Sequence, residues 1–207
     1  MELNNIIDQL SGSYLSSKES INGQTIIDVY PKNRDGSANL DSGARLKNNP
    51  SSSEWTVFHV QRDQECKLAQ FSDEKAALFA LYVLLKGRFE ERGGNEEVKR
   101  ELRKIENDFL KAREILESNV EPYYFSLNQQ KAGAVNLEEV NSRYNVFYLT
   151  LQDDKVDITK GRSLGGALVA IYNYGRMLEN FESLKDQTAS KLSPMEEETL
   201  KRVYLGK

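Results

Sequence analysis

The sequence predicts an α+β fold: a tandem duplication of an αβββα unit, with antiparallel three-stranded sheets and helices packed on them. Three observations lead there. Trp55–Phe89 reads as strand, tight turn, strand and capped helix. Much the same pattern returns at Tyr144–Leu178, where Tyr144-Asn145-Val146-Phe147 lines up with Trp55-Thr56-Val57-Phe58. Each block is preceded by a helical stretch, a β-branched or aromatic run and a polar segment. The boundaries that follow are 1–93 for the first unit, 94–184 for the second, and 185–207 for a polar linker with a C-terminal helix.

Taken in order, Leu3, Ile6, Ile7 and Leu10 recur at helical spacing, which predicts a short amphipathic helix over residues 2–15. Gln24–Tyr30 is rich in β-branched residues and reads as a strand stopped by Pro31. Residues 31–54 are dense in Asn, Ser and Gly and read as a long surface loop pinned only by Leu40 and Leu46. Trp55–Gln61 alternates with apolar groups on both faces, as a central strand does. Residues 62–65 form a polar break of hairpin length, with the turn placed at Asp63-Gln64, and Cys66–Phe71 returns antiparallel. Ser72 is the expected N-cap of the next helix, with Asp73 and Glu74 complementing its dipole. Ala76–Leu85 is apolar on every side, so that helix must be buried against the sheet.

Asn95–Ser118 carries the stripe Val98, Leu102, Ile105, Phe109, Ala112 and Leu116, which predicts one amphipathic helix. Its other positions mix signs, with Glu96 four residues before Arg100, in the order that favours a helical ion pair. Pro122–Leu127 reads as a strand, residues 128–143 as a shorter loop, and Tyr144–Leu151 with Lys155–Thr159 as a hairpin turning at 152–154. The helix from Ser163 carries Gly165 and Gly166 near its start, small residues that let it approach a neighbour closely. Ser193-Pro194 opens a terminal helix as N-cap and first helical position. The pattern admits two separate sheets or one joined six-stranded sheet.

Composition narrows the function classes. The 207 residues are 39% hydrophobic and 29% charged, a globular balance with a net charge of -4. Signs are mixed along the chain, without the basic stripe of a nucleic-acid binder. No apolar run nears the roughly 20 residues of a membrane span. The start Met1-Glu2-Leu3-Asn4-Asn5 lacks the features of a signal peptide, and Cys66 is the single cysteine. A cytoplasmic protein is expected.

Motifs for chemistry are sparse. His59 and Cys66 resemble a base and nucleophile, set diagonally on adjacent strands, but a buried Cys beside a satisfied His is the simpler reading, and Tyr148 and Lys155 hold the matching places in the second block. Asp153, Asp154 and Asp157 lack the D-x-D-x-D-G spacing of a cation loop and read as an acidic turn. Lys160–Gly166 has neither phosphate-loop signature and reads as a strand-to-helix junction. Ten tyrosines are present; the Tyr123-Tyr124 pair, read as strand, should face opposite sides and leave one ring exposed for an interface. No catalytic residue, metal site or cofactor is assigned.

A strand of the form W-x-V-[FY], a tight polar turn, a strand ending in Phe and Ser-Asp-Glu opening an Ala-rich helix resembles the small α/β immunity proteins of bacterial polymorphic toxin systems, both contact-dependent and secreted. Trp55, Val57, Phe58, Phe71, Ser72, Asp73, Glu74, Ala76 and Ala77 carry the resemblance. It covers residues 1–90 well and 94–184 loosely. The chain departs in its doubling, in Tyr144 where the Trp would stand, and in Gly161-Arg162 where the acidic helix start would be. The resemblance implies a cytoplasmic antitoxin without enzymatic activity, which binds one cognate toxin domain and occludes it. The acidic balance suits a basic, nuclease-like toxin. Partner-binding residues are expected at the hairpin tips and the tyrosine pair: Asp63, Glu65, Tyr123, Tyr124, Asp153 and Asp154. The alternatives are a non-enzymatic regulatory or phage-derived protein-binding adaptor, and an enzyme using Cys66.

Overall fold

The computed structural model describes residues 12–89, 94–186 and 192–206. These form an α+β protein with two sheets and the helices α1 Glu74–Phe89, α2 Glu96–Arg103, α3 Phe109–Glu117, α4 Leu164–Asp186 and α5 Pro194–Leu205. The chain divides into two compact units, Met1–Glu90 with Asp186–Gly206, and Glu91–Lys185. No helix among the described residues is long and apolar enough to cross a membrane. The helix predicted over residues 2–15 lies mostly outside the described residues; where they begin, Tyr14 and Leu15 already belong to a strand.

The first unit holds five antiparallel strands in sequence order: β1 Tyr14–Ile21, β2 Gln24–Pro31, β3 Ser42–Asn49, β4 Glu54–Gln61 and β5 Gln64–Phe71. Its sheet thus has five strands where three were expected. β1 replaces the end of the predicted helix, and β3 lies inside the stretch read as loop. β3 is polar in composition, yet Ala44 and Leu46 alternate with Arg45 and Lys47, and it pairs with strands on both sides. Leu46 is fully buried, whereas Leu40, the other expected anchor, is 60% exposed. Tight connections come from paired left-handed residues: Asn22-Gly23 joins β1 to β2 and Arg62-Asp63 joins β4 to β5. Positive φ at both central positions matches the twist of the flanking strands. The second turn sits one residue before the expected Asp63-Gln64.

Direct cross-strand partners share a face, so Ile27, Leu46, Val57 and Ala69 form one buried row. α1 packs on this side against β3, β4 and β5, and α5 packs against α1. Every residue from Ala76 to Leu85 is buried, as its unbroken apolar run requires. Asp73 caps α1 where Ser72 was expected, its carboxylate accepting from the Ala76 N–H at 2.9 Å. Ser193 caps α5 in a capping box with Glu196, Pro194 stands in the first turn, and Gly206 closes the helix at φ 73°.

The second unit has the sheet order β6 Phe125–Ser126, β7 Val135–Val140, β8 Arg143–Leu149 and β9 Lys155–Arg162. The strand expected over 122–127 contracts to β6, two residues pairing parallel to β7. β7 lies inside the segment read as loop and turns into β8 through left-handed Asn141-Ser142. The single helix expected over 95–118 is two. Asp108 accepts from the Lys111 N–H and starts α3 afresh, while Ile105, between the helices, stays buried and keeps the apolar stripe continuous. α4 follows β9 as expected. Both units therefore contain three antiparallel strands followed by a helix; what precedes differs, two more strands in one and two helices with a short parallel strand in the other.

Gly165 has the role expected of it: a Cβ there would stand 2.5 Å from the Arg103 carbonyl oxygen. Gly166 does not, since a Cβ would meet side chains alone, the Ser163 hydroxyl at 3.3 Å and Arg162 Cβ at 3.7 Å. Gly87 is equally constrained, 2.3 Å from the Tyr204 carbonyl oxygen, where α1 and α5 meet. Overpacking of this kind is worth about 1–3 kcal/mol. Gly87→Ala and Gly165→Ala are each expected to lower the urea midpoint accordingly, while Gly166→Ala leaves it unchanged or raises it through helix propensity.

Candidate functional site

The six residues singled out from sequence fall at two hairpin tips and one turn, and their surroundings differ. At the β4–β5 tip, Asp63 is exposed in the turn, whose Arg62 N–H donates to the Asp41 carbonyl. Glu65 is turned onto the sheet face away from α1. There Arg45 Nη1 donates to it at 2.6 Å, and Lys47 Nζ donates at 2.6 and 2.7 Å. Arg45 also grips Asp28 with two bonds, at 2.5 and 2.9 Å. Burial alone would raise the Glu65 carboxyl, but the hydrogen bonds and charges of Lys47 and Arg45 outweigh it and hold the group below its ordinary range. Glu65 is thus engaged within its own sheet.

The β8–β9 tip is built around Thr150, which is 1% exposed. Its Oγ1 accepts from the Asp154 N–H at 2.9 Å and the Gln152 N–H at 3.3 Å. Its own N–H donates to the Asp154 carbonyl, and its carbonyl accepts from the Asp153 N–H. Asp153 takes the left-handed position at φ 65°. Four bonds to one buried residue fix the tip and present Asp153 and Asp154 to solvent, neither of them ion-paired among the described residues.

Tyr123 and Tyr124 lie in a turn before β6, so strand alternation does not separate them. Their rings meet edge to face at 5.3 Å; Tyr123 is 57% exposed and Tyr124 half-buried. Lys131 Nζ stands 4.7 Å from the Tyr123 ring centre and donates to the Pro122 carbonyl. The turn containing Lys131 is held by buried Asn136, which accepts from the Lys131 N–H and donates to the Lys131 and Ala134 carbonyls. Gly133, at φ 76°, joins this turn to the hairpin tip: a Cβ there would lie 3.3 Å from Leu151 Cδ2 and 3.8 Å from the Tyr123 hydroxyl. The second unit therefore gathers Tyr123, Tyr124, Asp153 and Asp154 around an exposed Leu151. Sequence reading missed Thr150, Leu151, Gly133 and Lys131. A Thr opening an acidic turn was the readable signal for the first.

His59 and Cys66 are direct partners across β4 and β5, not diagonal ones, because the turn sits one residue earlier. Cys66 is exposed, against expectation, whereas His59 is buried and shares a 2.9 Å hydrogen bond with the Ser42 hydroxyl. Burial, and then the positive charge of Arg88, push the His59 imidazole below its usual value. Among the described residues no group of three or more His, Cys, Asp or Glu could hold a metal ion.

Two pH effects follow. His59 takes up its proton at a lower pH in the fold than in the unfolded chain, where it does so near pH 6.5. Its stabilisation is therefore present above that pH and lost as pH falls below it; His59→Gln should flatten this part of a stability–pH curve. Glu65, also depressed, stabilises above the ordinary Glu range and loses that contribution as pH falls through its folded value, a segment that Glu65→Gln should remove. Thr150→Val strands two N–H groups of the tip and should cost about 1–3 kcal/mol, with faster amide exchange at Gln152 and Asp154.

Compared with known protein families, curated proteins and solved structures, the chain matches none.

Proposed function

We propose that this protein is an immunity-type antitoxin that binds a cognate toxin domain through the Tyr123–Leu151–Asp153–Asp154 surface and occludes it. The observation that carries the reading is this surface. An exposed aromatic ring and an exposed Leu, 57% and 53% accessible, flank two carboxylates without ion pairs among the described residues, on a backbone fixed by Thr150 and Asn136. Aromatic anchors on a rigid base with a charged rim have the anatomy of a binding hot spot. Pre-organisation limits the entropy lost on association. Carboxylates free of intramolecular pairs favour a basic partner, in keeping with a nuclease-like toxin, and speed the encounter. The proposed setting is the cytoplasm, with no cofactor and no nucleic acid or membrane as ligand. The resemblance of Trp55–Ala77 to immunity proteins supports the same reading.

Co-expression with the product of the neighbouring gene tests it. The expected result is rescue of growth together with co-purification of the two chains. Tyr123→Ala, and Asp153→Asn with Asp154→Asn, should each weaken the complex by about tenfold or more, while Glu65→Gln, at a carboxylate already engaged, changes affinity little. Loss of both rescue and co-purification overturns the proposal; co-purification without rescue favours a regulatory adaptor.

A further inference from the structure

The second unit also contains a cleft of about 450 Å³, lined by Phe109, Leu127, Asn128, Leu137, Glu139 and Tyr144 among others. None of these belongs to the surface described above. The cleft lies toward the β7–β8 turn, at the end of that strand pair away from Leu149 and Leu151.

Its construction follows from the register. Leu137 faces Val146 and Glu139 faces Tyr144 across β7 and β8, and alternation puts all four on one face. Leu127 and Leu137 are buried and form an apolar floor. The Phe109 ring, from the start of α3, meets the Tyr144 ring at 6.3 Å and 60°, making an aromatic wall. Burial, then the charge of Glu139 and hydrogen bonding to its carboxylate, raise the Tyr144 hydroxyl above its ordinary value.

The two carboxylates of the lining differ. Glu138, which alternates with Leu137 and Glu139 along β7, also lines the cleft but is bound by Lys155 Nζ at 2.9 Å, and this cation stands 4.5 Å from the Phe147 ring centre. With the Asn128 amide turned so that its oxygen faces Arg113, one turn along α3 from Phe109, that oxygen accepts from Arg113 Nη2 at 3.1 Å and the amide nitrogen donates to the Leu127 carbonyl at 3.2 Å. Glu139 has no ion pair among the described residues. Among the described residues the lining of the cleft includes no Lys or Arg.

We propose that this cleft seats a lysine or arginine side chain of a protein partner, with the alkyl stem on Leu127 and Leu137, the cation against the Phe109 and Tyr144 rings, and Glu139 as counter-charge. A long apolar stem ending in a cation fits all three features together, whereas a purely apolar side chain leaves the carboxylate uncompensated. That the side chain comes from a basic partner rests on the inhibitor reading; the chemistry of the cleft does not.

The test uses the full chain and small probes. N-acetyl methylamides of lysine, arginine and norleucine are titrated to millimolar concentration against the ¹⁵N-labelled protein. The expected result is saturable shifts at Phe109, Leu127, Glu139 and Tyr144 with the two cationic probes and none that saturate with norleucine. Glu139→Gln, at an exposed position, should preserve the spectrum elsewhere and weaken the cationic probes about fivefold or more. Equal responses to lysine and norleucine, an unaffected Glu139→Gln variant, or no response at the cleft overturns the assignment. Because no toxin takes part, the cleft can fail while co-expression succeeds, and the reverse.

Discussion

A helix without a polar face constrains the first unit more than any other element. Nothing from Ala76 to Leu85 can face water without exposing apolar surface, at about 25 cal/mol for each Å². The five-stranded sheet covers one side of α1. α5, from the far end of the chain, packs against α1 as well, and this explains why the last helix shares a compact unit with the first strands. Gly87 permits the approach by presenting no Cβ to the Tyr204 carbonyl. The capping box and the glycine close of α5 stabilise that helix locally, but its place is set by what α1 needs covered.

The second unit solves its packing with close backbone approaches. Gly165 brings the start of α4 against the end of α2, and Gly175 lies close to the Val120 side chain. The Asn95 N–H donates to the Tyr172 hydroxyl, tying the entrance of α2 to α4. The break at Asp108 lets one apolar stripe run over two helices that need not be collinear. It also brings Phe109 to Tyr144, so a capping carboxylate that interrupts a helix helps to build the cleft.

Charge separates the structural from the interactive surfaces. Asp28 on β2, Arg45 and Lys47 on β3 and Glu65 on β5 satisfy one another across the first sheet, and carboxylates so engaged have little left for a partner. Among the described residues Asp153, Asp154 and Glu139 make no ion pair. Exposed carboxylates are common, and sequence alone gave Glu65 and Asp153 equal standing, since both sit beside a hairpin turn. The difference between them is the register that carries Lys47 and Arg45 to Glu65.

The α+β class, the strands Trp55–Gln61 and Cys66–Phe71 with the helix after them, the hairpin before α4, and the capped terminal helix are all legible in the sequence. Each is written in local terms: alternation, turn residues, caps, or an apolar run too dense to face water. That Ser42–Asn49 and Val135–Val140 are strands emerges from the assembled fold, because their hydrogen bonds are supplied by neighbouring strands while their composition is that of loops. The meeting of Tyr123 and Leu151 beside Gly133, and of Phe109 with Tyr144, emerges in the same way. Local periodicity records which way a side chain points along its own element; which elements come side by side depends on register and long-range burial, which no window of sequence contains.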